Sequence, residues 1–147
     1  MMPSTKTSLT LCALLLLTIG AAACGSKPAE TTTPAGTTAV KITDVSLGRA
    51  IGGDKAISDS TDNFKPNDTI YASVLTDGSA PSATLRAKWT FEDGQTVEES
   101  TQTIAPSGRA RTEFHISKPN GWPAGKYKVE VFLNDQSSGT KTFDVKS

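Results

Sequence analysis

Few side chains in this 147-residue chain could do chemistry: one histidine, two cysteines and an acidic stretch, "SDSTDNFKPND", at 58–68. His115 sits in "TEFHIS" in the phase opposite Phe114 and Ile116, so it is expected to face solvent. One histidine falls short of the donor set zinc requires. No Gly-x-Ser-x-Gly accompanies it to hold a base against a serine. "GWPAGKY" at 121–127 has one residue too few between its glycines for a phosphate loop. Tyr127 also stands where a magnesium-holding hydroxyl is required, and a strand pattern follows where a helix is needed. In the acidic stretch, Asp59, Asp62, Asn63 and Asp68 offer hard oxygen ligands for calcium. They lack the spacing of a helix-flanked calcium loop, and a simply solvated loop is the competing reading. These patterns predict neither an enzyme nor a cofactor.

The informative residue is Cys24. It closes "LTLCALLLLTIGAAAC", in which the apolar run Leu9–Ile19 is 11 residues long, against about 20 for a membrane-spanning helix. With Lys6 before it and Ala21, Ala22 and Ala23 after it, residues 1–23 read as a signal peptide. Small residues followed by Cys, Gly and Ser resemble a bacterial lipobox, although Ala21 stands where that pattern prefers Leu, Val or Ile. The resemblance implies diacylglyceryl transfer to the Cys24 sulfur and cleavage before it. It also implies sorting to the outer membrane, because Gly25 and not Asp follows the cysteine. Buried acyl chains contribute about 0.8 kcal/mol per CH₂, enough for two chains to anchor a protein stably. A plain secreted protein with a free thiol is the alternative.

Cleavage there removes Cys12 and commits Cys24 to lipid, leaving no intramolecular disulfide. The remaining 124 residues carry 14 Lys and Arg against 15 Asp and Glu, with no basic cluster. That charge pattern gives no footprint for nucleic acid. Residues 24–39 comprise the lipidated cysteine and "GSKPAETTTPAGTTA", which has no large apolar group and is expected to be a disordered tether. O-glycosylation of its threonines is a second reading.

Residues 40–147 form the expected domain, and here the pattern alternates with period 2. "TLRAKWTF" puts Leu85, Ala87, Trp89 and Phe91 on one face, and "KYKVEVFLN" does the same with Tyr127, Val129, Val131 and Leu133. "TIYASVLT", "TEFHIS" and "KTFDVK" contribute Ile70, Ala72 and Val74, then Phe114 and Ile116, then Phe143 and Val145. "VKITDVSLGRAI", with a bulge expected near Thr43 and Asp44, and the polar "TVEESTQTI" complete seven antiparallel strands. The Asp-Gly of "EDGQ" signals a hairpin, while "KPND" (65–68) and "NDQSSGT" (134–140) read as breaks. Glu98 and Glu99 mark 96–104 as an edge strand.

An all-β, Greek-key sandwich follows, and two features resemble the immunoglobulin-like fold. Trp89 falls on the third predicted strand, where such domains place a core tryptophan. Gly125, Tyr127 and Val129 in "GKYKV" resemble that fold's Gly-x-Tyr-x-Cys stretch, with valine replacing the cysteine. The resemblance implies a tyrosine corner at Tyr127. A jelly roll or another Greek-key sandwich is the alternative architecture. Trp122, in "KPNGWPAG", either caps an end of the sandwich or stands exposed as a contact for a partner or ligand. The expected function is a lipid-anchored, non-enzymatic binding or assembly module of the bacterial envelope, with membrane and an envelope protein as partners. A small-ligand or glycan binder using loop aromatics is the alternative.

Overall fold

The computed structural model describes residues 38–147; the expected signal peptide (1–23), Cys24 and the expected tether through residue 37 lie outside them. Nine strands account for the described elements: β1 (Lys41–Ile51), β2 (Ile57–Ser60), β3 (Asn63–Phe64), β4 (Ile70–Asp77), β5 (Ala83–Phe91), β6 (Gln95–Ile104), β7 (Ala110–Ile116), β8 (Gly125–Leu133) and β9 (Gln136–Val145). They form a four-stranded sheet ordered β2-β1-β4-β7 and a five-stranded sheet ordered β3-β9-β8-β5-β6. β4 pairs with β7 while β5 and β6 lie in the opposite sheet, so the chain crosses between layers.

The expectation of seven antiparallel strands is corrected to nine, and one pair, β3 with β9, is parallel. Both added strands are short: "ISDS" buries nothing fully, and β3 is two residues long with Phe64 as its one buried side chain. They are held by backbone pairing at sheet edges, which hydrophobic alternation cannot report. A second correction concerns 134–140, which is not one long break. Asn134 and Asp135 both take positive φ (49° and 66°) and turn the chain in two residues, so that Leu133 pairs directly with Gln136. Two positive-φ residues suit the twist of a tight hairpin. The strand then continues through serines, glycine and threonine with no apolar signature.

Other expectations hold. The β1–β4 register slips between Ile42 and Asp44, which is the bulge, and β6 is an edge strand. Trp89, Val129, Val131, Leu85 and Ala87 are fully buried between the sheets. Burial also reaches residues in the opposite phase. Ser73 lies outside the alternating set yet is fully buried, its hydroxyl donating to the Lys55 carbonyl at 2.6 Å where the β1–β2 hairpin approaches β4. Gly48 permits that hairpin: a Cβ there would come within 2.2 Å of the Asp59 carbonyl oxygen.

The strand directions give the sandwich two unlike ends. The described chain enters at one of them, where the Thr38 carbonyl accepts the Ser79 N–H at 2.9 Å beside the β4–β5 turn. The β8–β9 turn shares that end, since Asn134 N–H reaches the Thr84 carbonyl at the start of β5. The 65–68 turn, the 92–94 turn and the 117–124 connection cluster at the other. Strands of nine residues such as β8 separate the two ends by about 30 Å.

Candidate functional site

An aromatic cluster builds the loop end. Phe143, on β9, stacks on Tyr127 (centroids 5.3 Å) and meets Trp89 and Phe64 edge-on at 5.9 and 5.4 Å. Tyr127 in turn meets Phe91 at 4.7 Å and Trp122 at 6.1 Å. These separations fall within the range where ring quadrupoles attract. The Tyr127 hydroxyl donates to the Pro123 carbonyl, four residues upstream, at 2.8 Å. Gly125 opens β8 with φ 153°, and a Cβ there would lie 2.6 Å from the Phe91 ring. Val129 is fully buried opposite Trp89 in the β5–β8 register.

Burial, and secondarily the Glu92 carboxylate, hold the Tyr127 phenol above its ordinary pKa of 10.0. The neutral phenol is therefore the form that the folded state favours. Its contribution is complete below the unfolded value and is lost as pH climbs past that value and through the raised native one. Tyr127→Phe is expected to lower stability by about 1–2 kcal/mol at neutral pH, because the Pro123 carbonyl loses its donor. It is also expected to flatten the decline in stability above pH ~10. Urea unfolding at pH 7 and at pH 10.5 checks both; an unchanged alkaline slope would assign the decline to other groups.

Trp122 is only 5% exposed, so the reading of an exposed partner or sugar contact is corrected. Instead the residue braces a neighbouring turn. Its main-chain N–H donates to the Pro66 carbonyl at 2.7 Å, and its indole N–H donates to the Asp68 carbonyl at 3.1 Å. Within that turn, Asp68 N–H reaches the Lys65 carbonyl at 3.1 Å, and the Asp68 carboxylate accepts the Lys65 N–H at 2.9 Å. The "KPND" segment is thus a closed turn hung on a tryptophan from a distant loop.

Asp59, Asp62 and Asp68, the weak calcium candidates of the acidic stretch, each engage a different partner. Asp59 pairs with Arg49 at 3.0 Å, Asp62 accepts from the Asn63 amide, and Asp68 closes its own turn. Among the described residues no three His, Cys, Asp or Glu are grouped to hold a metal ion. Each carboxylate has a nearer partner than a shared cation. His115 is exposed, its Nδ1 against the Glu113 carboxylate and its ring 5.5 Å from Tyr71.

Two grooves of similar size open on the surface. One, of about 430 Å³, runs between β1 and β9 past Val45, Leu47, Lys141 and Thr142. The other, of about 440 Å³, lies at the loop end, where Arg49, Lys65 and Lys146 surround Phe64, Pro66 and Asp68. The three cations come from β1, the braced turn and the segment after β9, so no local sequence pattern could have assembled them. Phe64 was the one usable signal: a lone aromatic in a polar loop, 1% exposed, that pins β3 beside β9.

No protein-family model matches this chain, and no curated protein matches it. Among solved structures it is similar to an immunoglobulin-like protein from Pseudomonas aeruginosa at 16% identity and TM-score 0.50, over 75% of this chain and 98% of that one. It is also similar to a CARDB domain from Pyrococcus furiosus in complex with di-metal ions, at 13% identity and TM-score 0.46, over 75% and 88% of the two chains. A third similar structure is an alkylpurine DNA glycosylase from Pseudomonas fluorescens bound to DNA containing an abasic site analog, at 15% identity and TM-score 0.48. The match covers 74% of this chain and 30% of that enzyme's. At 16% identity the first of these likenesses describes the fold alone: an immunoglobulin-like β domain.

Proposed function

We propose that this protein is a lipid-anchored, non-enzymatic binding or assembly module of the bacterial cell envelope, held at the outer membrane through Cys24. The observation that carries this reading is the polarity of the sandwich. The chain that leads back to Cys24 joins the domain beside Ser79, and the braced turn with its groove lies at the opposite end. Within the described residues the braced turn lies about 30 Å from the end at which residue 38 enters, which suits it to meeting a partner away from the point of chain entry. The unshared carboxylates and the exposed His115 support a binding role over a catalytic one.

The test is the intact mass of the mature chain extracted from membranes, beside Cys24→Ser. The expected mass corresponds to cleavage before Cys24 plus acyl chains, and it is absent from the variant. A bare, soluble wild-type chain would replace the anchored reading with a secreted one.

A further inference from the structure

We propose that the open edge of β9, from Gly139 to Thr142, takes up a neutral extended segment of a partner protein as an added strand. This deepens, and rests on, the binding-module reading above. The site begins where β3 stops. β3 pairs with β9 only through Asn63 and Phe64, and at that level the Asp144 N–H donates to the Asp62 carbonyl at 2.8 Å. Main-chain groups alternate sides along an antiparallel ladder, so Thr142 and Thr140 aim their N–H and C=O groups to the same side as Asp144. Among the described residues nothing pairs with them there.

The other long edges are better guarded. β6 carries Glu98 and Glu99, and on β7 the Glu113 carbonyl already accepts the Gln102 side-chain amide at 2.6 Å, with Arg111 and His115 on either side. Such features discourage strand addition. The β9 stretch has one charge, Lys141, which is exposed and in no ion pair among the described residues. Its flexible stem lets the ammonium turn out to solvent. Beside this edge the groove of about 430 Å³ runs on past Ile42 and Ser138 as a further cavity of about 200 Å³. The floor is close, since a Cβ on Gly139 would lie 2.8 Å from the Val45 side chain. An occupant therefore points small side chains inward. The lining charges, Asp44 and Asp62 against Lys141, leave no strong field, so recognition rests on main-chain hydrogen bonds.

Dimensions select the occupant. The edge from Gln136 to Thr142 is about 23 Å long, and with ~10 Å between sheets it offers about 230 Å². A standing dimer needs about 800 Å² from each partner, so a second folded copy is not held here. An extended segment sinks between β1 and β9, meets both walls and continues the track that β3 already occupies.

The experiment follows amide shifts and hydrogen exchange of the full chain in neutral detergent. The probe is an acetylated, amidated hexapeptide of alternating threonine and alanine; the control is the same peptide N-methylated throughout, which has no donors for a ladder. Saturable shifts are expected at residues 139–142 and at Val45, with the Thr140 and Thr142 amides gaining protection. N-methylation is expected to weaken binding at least tenfold. Thr142→Pro is expected to do the same while Val129 stays protected, because the Thr142 N–H faces away from β8 and the β8–β9 ladder keeps its bonds. The N-methylated peptide decides the matter even where that variant fails to fold. No saturable shift, shifts at β6 or β7 instead, or equal binding by the two peptides overturns the proposal. Protection of Thr140 and Thr142 before any peptide is added also overturns it: rising with protein concentration, it assigns the edge to a second copy, and constant, to residues 25–37 of the chain itself. Because anchoring is read by mass and this edge by amide shifts, either can fail alone.

Discussion

Trp89→Ala is expected to remove about 3–5 kcal/mol of folding stability, whereas Trp89→Phe is expected to lose about 1 kcal/mol or less. The indole is fully buried and packs edge-on against Phe143. Truncation to alanine opens a cavity at the meeting point of the two sheets. A domain of this size is stable by roughly 5–15 kcal/mol, so alanine here consumes a large fraction of the total. Phenylalanine behaves differently because the indole Nε1–H is buried without a hydrogen-bond partner among the described residues. That orphaned donor carries a desolvation penalty of about 1–3 kcal/mol, which phenylalanine removes, offsetting the smaller cavity it leaves. Urea midpoints of the two variants make the comparison. Equal losses would mean that the N–H is satisfied in solution and that the ring's full size is what matters.

Trp122→Ala is expected to cost a similar 3–5 kcal/mol, but here phenylalanine should not rescue as well, losing about 1–2 kcal/mol. The difference is that this indole N–H is used: it donates to the Asp68 carbonyl, which phenylalanine leaves unpaired. The main-chain bond from Trp122 to Pro66 survives either change. Hydrogen exchange separates a local effect from a global one. In Trp122→Phe the amides of Lys65 and Asp68, both bonded within the turn, are expected to exchange faster while Val129 keeps its protection. Uniform acceleration would show that Trp122 serves the core and not the turn. Two tryptophans of one chain thus carry different expected losses for one substitution, according to whether each N–H has an acceptor.

The five strands with strong apolar alternation were readable because each sets apolar residues at every second position, although β4 buries its second face as well, at Ser73 and Leu75. Leu85, Ala87 and Trp89 announce β5 in this way, and Tyr127, Val129 and Val131 announce β8. The bulge of β1 and the acidic edge of β6 were legible for related reasons: a slip in phase, and charges that discourage a further partner strand. β2 and the first half of β9 left no such trace, since backbone bonds hold them and their side chains face water, and β3 is too short to alternate although it buries Phe64. The candidate site was less legible still. Asp59, Asp62 and Asp68 are neighbours in sequence and separate in function, each claimed by a different local partner.

By itself, then, the sequence determined the all-β sandwich, the buried Trp89 and Tyr127, and the lipobox-like leader from which anchoring is proposed. These depend on periodicity and on contiguous residues, both of which are properties of order along the chain. Only the tertiary structure decided that Trp122 is a brace and not a contact. It alone also brought Arg49, Lys65 and Lys146 to one groove at the end opposite the chain's entry. Those facts depend on which strand edge lies beside which loop. Backbone hydrogen bonds and packing across the two sheets set that arrangement, and no spacing in one dimension records it.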